Sequence, residues 1–178
     1  LLRHWFSLSS GKEKGAALMH VGRGLAGVSN PESLSKECIE RVKALWDYVD
    51  DKCGDESGAV RGLLGLAETG RFDPAWLRGK MVREAQGDAM RRDLACHSNA
   101  FLKLAEGDPK WGMRLIRSVP EGQRTAASFF SVGKLSKKLI GCFIAQGGSK
   151  EDPDLVSFMD WVARRHDLNI DEYVAALG

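Results

Sequence analysis

Four pairs of Asn or Asp followed by proline constrain this chain more than any other feature of its sequence. The pairs are Asn30-Pro31, Asp73-Pro74, Asp108-Pro109 and Asp152-Pro153. An Asn or Asp side chain accepts a hydrogen bond from a backbone N–H in the first turn of a helix. Proline is favoured at the first helical position because it has no N–H to leave unpaired there. Each pair therefore predicts a helix that begins at its proline.

Helical spacing of apolar residues follows each predicted start. The clearest example is a stripe at intervals of three or four residues: Leu34, Cys38, Val42, Leu45 and Val49. This spacing places side chains on one face of an amphipathic helix. Further helices are predicted from Gly58, from Asp88 to Gly107, and from about Thr125 to Ile144. No segment shows the alternation of a β-strand, so the sequence predicts an all-α protein.

A repeat of about 40 residues underlies these helices. Asp73-Pro74-Ala75-Trp76 and Asp108-Pro109-Lys110-Trp111 share Asp, Pro and Trp at an offset of 35 residues, and the other two intervals are 43 and 44 residues. Periods of about 33 to 47 residues with two helices per repeat are typical of α-solenoids. We expect antiparallel helix pairs in a short HEAT-like or TPR-like solenoid. An irregular helical bundle is the alternative, because Asp-Pro begins helices in any all-α protein.

Two segments resemble a known class of helical-repeat protein. Residues 40–49 read Glu-Arg-Val-Lys-Ala-Leu-Trp-Asp-Tyr-Val, and residues 70–77 read Gly-Arg-Phe-Asp-Pro-Ala-Trp-Leu. With their Trp and Asp-Pro spacing, they resemble the C-terminal HEAT-like region of large bacterial multidomain proteins, several of them linked to anti-phage defence. The resemblance covers about residues 35–118. It implies helical repeats that carry no catalytic motif, with an NTPase-like or NAD-consuming effector domain N-terminal to them.

Length and cysteine usage favour one domain in a reducing compartment. The 178 residues suit a single domain, and because the first residue is Leu1 we expect 1–178 to be part of a longer chain. No apolar run approaches the roughly 18 residues of a membrane-spanning helix. The four cysteines (Cys38, Cys53, Cys96 and Cys142) have no CxxC spacing. Buried free thiols in the cytoplasm, without membrane contact, are the expected state.

Two motifs have the form of a chemical site but lack its other parts. Residues 22–27, Gly-Arg-Gly-Leu-Ala-Gly, match GxGxxG, which binds dinucleotides only as a strand-to-helix turn. No strand is predicted here, so we interpret the motif as a glycine-spaced helix end. Asp93 and His97 are four residues apart and can meet on one helix face, yet no nucleophile completes a triad. The sequence therefore predicts no catalytic residue, no metal site and no cofactor.

The distribution of charge is the most informative functional signal. The net charge is +2, but residues 110–141 alone carry +6, while residues 31–56 and 150–178 each carry −4. The basic residues of the central segment form a candidate interaction surface, the basic strip: Lys110, Arg114, Arg117, Arg124, Lys134, Lys137 and Lys138. Such a strip attracts phosphates or an acidic protein surface.

Two functions are predicted from these observations. The first is a non-catalytic interaction or scaffold domain that binds a protein partner or other domains of its own chain. The alternative is a nucleic-acid-binding helical module that uses the basic strip. It ranks second because no aromatic residues are interleaved with the basic ones to stack on bases.

Overall fold

The structure is a computed structural model that describes residues 10–50, 58–84, 98–118 and 126–164, with the single residues Asp171 and Ala175. All regular structure in these ranges is helical and none of it is strand, so the predicted all-α class is confirmed. The chain forms two compact units that meet in sequence between Asp93 and Leu94. The expectation of one domain over 1–178 stays a prediction.

The first unit contains four described α-helices and one 3₁₀ turn. They are α1 (Gly11–Ala26), the 3₁₀ turn (Pro31–Ser33), α2 (Lys36–Asp50), α3 (Gly58–Thr69) and α4 (Pro74–Glu84). The described helices of the second unit are α5 (Ser98–Glu106), α6 (Pro109–Ser118), α7 (Ala126–Ala145) and α8 (Pro153–Ala163). None of the helices in the described ranges is both long enough and apolar enough to cross a membrane.

Three of the four predicted helix starts are confirmed by their capping hydrogen bonds. The backbone N–H of Ala75 donates to Asp73 Oδ1 at 3.0 Å, and that of Trp111 donates to Asp108 Oδ1 at 2.9 Å. The N–H of Asp154 donates to Asp152 Oδ1 at 3.0 Å. The proline in each pair occupies the first helical position, where its missing N–H costs nothing.

The predicted helix start at Asn30-Pro31 is wrong, because α2 begins at Lys36, after a separate short turn. Asn30 makes no capping hydrogen bond, and Pro31–Ser33 form a 3₁₀ turn instead. Ser33 stabilises that turn, since its backbone N–H and its hydroxyl both donate to the Asn30 carbonyl. Leu34 is then extended, and Ser35 provides the cap of α2 by accepting the Cys38 N–H at 3.1 Å. A serine five residues downstream therefore replaces Asn30 as the cap.

Helix α1, which the sequence analysis left unassigned apart from its glycine-spaced end, begins at a capping box. The Glu13 N–H donates to Ser10 Oγ, and the Ser10 N–H donates to Glu13 Oε2 at 2.7 Å. The hydrogen bonds that the Ser10 N–H and hydroxyl donate to Glu13 Oε2 hold the pKa of that carboxyl below its ordinary value. Ser-x-x-Glu is a sequence signature of a helix start, so this helix could have been predicted. Its end at Gly27 confirms the interpretation of the GxGxxG match.

Glycines bring α1 and α3 into direct backbone contact. A Cβ atom built on Gly22 would lie 2.1 Å from the Gly62 carbonyl oxygen, and one on Gly62 would lie 2.5 Å from the Leu18 carbonyl oxygen. One built on Gly65 would lie 2.7 Å from the Gly22 oxygen. Positions in α1 and α3 pair in ascending order, so the two helices are parallel. No side chain larger than hydrogen fits at these three positions.

Helix α2 buries only the C-terminal end of its predicted apolar stripe, beside Trp46. Trp46 and Val49 are buried, whereas Cys38, Val42 and Leu45 are only half-buried. The buried Trp46 ring packs where α1 and α3 cross, because its Cη2 atom lies 2.7 Å from a Cβ built on Gly62. Trp46 and Val49 together therefore form the inward side of α2. The predicted burial of the Cys38 thiol is wrong.

In the second unit, α6 packs against α5, α7 and α8, and α5 packs against α7. Gly112 of α6 lies against Leu139 of α7, and Lys110 lies over the ring of Phe143, so α6 and α7 are antiparallel. The core is formed by large apolar side chains of all four helices, including Phe101, Met113, Leu139, Ile140, Leu155 and Phe158. This packing of helix pairs is consistent with an α-solenoid or a helical bundle.

The two repeat tryptophans match in their local turn but differ in burial. Trp111 is buried and lies 5.7 Å, between ring centroids, from Phe101 of the preceding helix. Trp76 is half-buried and stacks on Phe72, just before its own helix, at 6.2 Å. The shared Asp-Pro-x-Trp motif therefore reflects the same helix start. The ring of Trp111 packs on an aromatic residue of the preceding helix, as a repeat requires, whereas the aromatic partner of Trp76 lies in the loop before its own helix.

Two adjacent glycines end α7 and lead into α8. Gly147 has a left-handed backbone (φ +80°), its N–H donates to the Ile144 carbonyl at 2.9 Å, and the Gly148 N–H donates to the Phe143 carbonyl at 3.0 Å. These two bonds form a Schellman motif, which satisfies carbonyls at the helix end. Gln146 Nε2 also donates to the Glu106 carbonyl of α5, at 2.5 Å. The turn fixes where α8 begins.

Candidate functional site

Two members of the basic strip bind carboxylates of α8. Lys110 Nζ lies 2.5 Å from Asp152 Oδ2, and Arg114 Nη1 lies 3.1 Å from Asp154 Oδ2. Residues four apart on α6 therefore meet residues two apart in the first turn of α8. The side chains of all four remain partly exposed, from 17% for Asp152 to 54% for Arg114.

The first of these pairs shifts the pKa of both partners. The hydrogen bond from Lys110 holds the pKa of the Asp152 carboxyl below its ordinary value, and the capping N–H of Asp154 adds to the effect. The same hydrogen bond raises the pKa of the Lys110 ammonium. Lys110 Nζ also lies 5.8 Å from the centroid of the Phe143 ring, in a cation–π arrangement. Both partners are therefore ionised over the whole neutral range.

The remaining members of the basic strip are spread over α6 and α7. Arg117 is half-buried, and Lys134 and Lys138 are exposed one turn apart on α7; none of the three has an ion pair within the described ranges. Lys137 is half-buried. Arg124 lies outside the described residues. The structure thus brings Lys110 and Arg114 together with acids that the segment charges had placed in a separate acidic flank.

A second surface, which sequence analysis missed, lies on the first unit. A groove of about 570 Å³ runs along α2. It is lined by Val21 of α1 and by residues of α2 and its cap: Ser35, Glu37, Cys38, Arg41, Val42, Ala44, Leu45 and Tyr48. The half-buried stripe of Cys38, Val42 and Leu45 forms its apolar floor. The apolar spacing was visible in the sequence, but which face Trp46 would bury was not.

Charges beside the groove are paired with one another. Arg41 Nη2 lies 2.6 Å from Glu37 Oε1 one turn away on α2. Lys43 Nζ lies 3.3 Å from Glu40 Oε1 on the same helix. Such exposed pairs contribute little to stability, because solvent screens them and ordering two long side chains costs entropy. The four charges of these two pairs sum to zero.

The remaining motifs from the sequence show no chemical site. Gly22 lies inside α1 at the helix crossing, and no strand precedes it among the described residues. Asp93 and His97 lie outside the described ranges. Asp47 of α2 forms an ion pair with Lys80 of α4 at 2.8 Å. Within the described parts of the chain, no three His, Cys, Asp or Glu side chains gather as metal ligands.

Comparisons with known proteins give no relative. No protein-family model matches the chain, and neither a curated protein nor a solved structure matches it.

Proposed function

We propose that this chain is a non-catalytic helical-repeat interaction domain, and that the groove on α2 binds an amphipathic helix of a protein partner. The observation that supports the proposal is the half-buried apolar stripe of Cys38, Val42 and Leu45. In a helix that packed only on its own unit, this stripe would face the core. Here only Val49, further along the same face, is buried beside Trp46, and the stripe forms the floor of an open groove.

The shape of the groove favours a helix as the ligand. Its lining extends from Ser35 to Tyr48, a length of about 20 Å at 1.5 Å per residue. The side chains on its floor recur every three or four residues. A helix that lies along such a floor meets it with anchors at i, i+3, i+4 and i+7.

The pairing of the rim charges favours recognition through apolar contact. Glu37 with Arg41, and Glu40 with Lys43, neutralise each other across neighbouring turns. These four charges therefore give a partner little net attraction, and its affinity should depend mainly on buried apolar area. We expect binding that changes little with salt, which distinguishes this surface from a phosphate-binding one.

The packing order of the helices supports the repeat part of the proposal. Among the described helices, three pairs pack together although another helix lies between them in the chain: α1 with α3, α5 with α7, and α6 with α8. Stacked helix pairs produce this order, because equivalent helices of successive repeats lie side by side. We extend the proposal, through the resemblance to bacterial helical-repeat regions, to a cytoplasmic protein in which other domains of the chain are also partners.

Nucleic-acid binding through the basic strip is the second candidate and has less support. Lys110 and Arg114 already bind Asp152 and Asp154, so fewer cations remain to neutralise phosphates.

Site-specific photo-crosslinking tests the proposal. A photoreactive amino acid replaces Ala44, which is exposed and lines the groove, or Lys36, which is exposed on the same helix outside it. Crosslinking in cells should give a discrete partner from position 44 and none from position 36. Equal crosslinks from both positions would contradict the groove assignment.

A peptide that matches the captured segment then tests the chemistry. Val42→Gln should weaken its binding by about fivefold or more, because burying an amide without a partner costs about 1–3 kcal/mol. Lys36→Gln introduces the same side chain outside the groove and should leave affinity unchanged. Between 50 and 500 mM salt, the dissociation constant should change by less than about threefold. A steep salt dependence would refute apolar recognition.

A further inference from the structure

Lys110, Arg114 and Arg117 form a row of cations along one face of α6. Their spacing of four and three residues places them on successive turns of one helix face, over about 10 Å. The first two cations bind the carboxylates of α8, and the third has no ion pair among the described residues. We call these three residues the α6 row.

The two ion pairs are not needed to hold α8 in place. Leu155, Phe158 and Val162 of α8 are fully buried, and burial of apolar side chains is the main source of docking energy. Partly exposed ion pairs contribute little by comparison. Asp152 also has a separate role as the helix cap, which an asparagine can perform equally well. Both acids also complement the dipole at the start of α8. Their pairing with Lys110 and Arg114 is a further effect, which neutralises two of the three cations of the α6 row.

We propose that the α6 row is a binding site for the phosphate backbone of a single-stranded nucleic acid, and that Asp152 and Asp154 act as an internal competitor that keeps it closed. The carboxylates occupy the two cations that an incoming phosphate chain would otherwise bind. Because both pairs are partly exposed, phosphates can replace the two carboxylates on Lys110 and Arg114 while the buried apolar face of α8 stays packed. This inference goes beyond the proposed function and does not rest on the groove.

The surroundings of the row favour phosphates. Helix α7, which packs beside α6, carries three lysines and no acid from Ala126 to Ala145. A phosphate chain has one charge per nucleotide at regular intervals, so a linear row of cations suits it. Two of the three cations are arginines, whose planar guanidinium groups bind phosphate oxygens in pairs.

The experiment measures binding of a fluorescent 15-nucleotide oligo-dT to the full chain by anisotropy at 50, 100 and 200 mM salt. The test variant is Asp152→Asn with Asp154→Asn, which removes two charges and keeps the cap. The matched control is Glu106→Gln with Asp160→Asn, which removes two exposed charges of the same unit other than the two acids paired with the row. Asp154→Asn alone, which leaves the cap untouched, guards against loss of folding in the double variant.

We expect the unmodified chain to bind weakly at 50 and 100 mM salt and not measurably at 200 mM. The test variant should bind about tenfold or more tightly at 50 mM salt, with a salt slope steeper by about 1.4, because each phosphate contact on a single strand contributes about 0.7. The single variant should show about half of that change in slope. Adding Arg117→Gln to the test variant should reduce the slope by about 0.7.

Three results would overturn the proposal. Equal gains in the test and control variants would mean that only net charge matters. Absence of binding by both the single and double neutralised variants would mean that the row is no site. Tighter binding of a polyglutamate peptide than of oligo-dT would assign the row to an acidic protein segment.

Discussion

Replacing Gly22 with alanine tests whether backbone contact holds α1 and α3 together. The new methyl group would lie 2.1 Å from the Gly62 carbonyl oxygen and 2.5 Å from the Gly62 Cα atom, whereas ordinary contact begins at 3.4 Å. The helices would have to separate by about 1.3 Å at this point. Because every obstructing atom belongs to the backbone, no change of side-chain rotamer relieves the overlap.

The expected cost follows from three contributions. Overpacking a tight site costs about 1–3 kcal/mol, and more when the backbone must move. A gap of 0.5–1 Å also forfeits about a quarter to a half of the dispersion energy between facing atoms. Against this, alanine favours the helical state over glycine by about 0.5–1 kcal/mol. We therefore expect Gly22→Ala to lower the free energy of unfolding by at least about 2 kcal/mol, a large part of the 5–15 kcal/mol that holds most domains.

Urea denaturation followed by far-UV circular dichroism measures this change, with Gly24→Ala as the matched control. Gly24 lies two residues further along α1, and a Cβ atom built there has nothing within 4 Å. The control should be neutral or more stable by up to about 1 kcal/mol, since only helix propensity changes. If the two variants unfold within about 0.5 kcal/mol of each other, α1 and α3 do not meet as described, and the argument from close contact fails.

Three further predictions concern burial and ionisation. Trp111→Ala should lower the free energy of unfolding by about 3–5 kcal/mol, the range for a buried aromatic; Trp76→Ala should cost clearly less because that ring is half-buried, and equal losses in calorimetry would contradict the difference. The pKa of Asp152 is lowered in the folded state, so stability from its pair with Lys110 should be complete above the ordinary value of 3.8 and decline as pH falls through the lowered value. Asp152→Asn should remove this loss of unfolding free energy at low pH. An unchanged dependence of stability on pH would exclude the pair. The Cys38 thiol should react with a thiol reagent in the native protein when the other cysteines are replaced by serine, because it lines the groove; reaction only after denaturation would indicate a closed groove.

Local signals in the sequence predicted the helices well because the interactions that start a helix are local. Asp73, Asp108 and Asp152 each cap a backbone N–H within three residues. The same rule failed at Asn30, because Ser35 offers a competing cap nearby and sequence alone does not rank the two. The start of α1 went unassigned although Ser10 and Glu13 have the spacing of a capping box.

The candidate surfaces were harder to predict because they depend on contacts between distant residues. The partner of Lys110 lies 42 residues away in the chain, in a segment whose charge had been counted separately. Summing charges by segment therefore identified the basic strip but not its partial neutralisation. Similarly, the apolar stripe of α2 predicted an amphipathic helix. How much of that stripe would be buried depends on where Trp46 packs against α1 and α3, which the periodicity of α2 does not show.

The start of α8 carries two sets of residues whose directions around the helix axis are fixed relative to each other. Asp152 and Asp154 face the cations of α6, while Leu155 and Phe158 face the core. One residue inserted between Asp154 and Leu155 would rotate one set by about 100° relative to the other. The chain could then keep its core or its ion pairs, but not both. Substitutions on the exposed side of this segment should therefore be tolerated far more readily than insertions or deletions. The number of residues between the acids and the core residues should stay constant among related sequences.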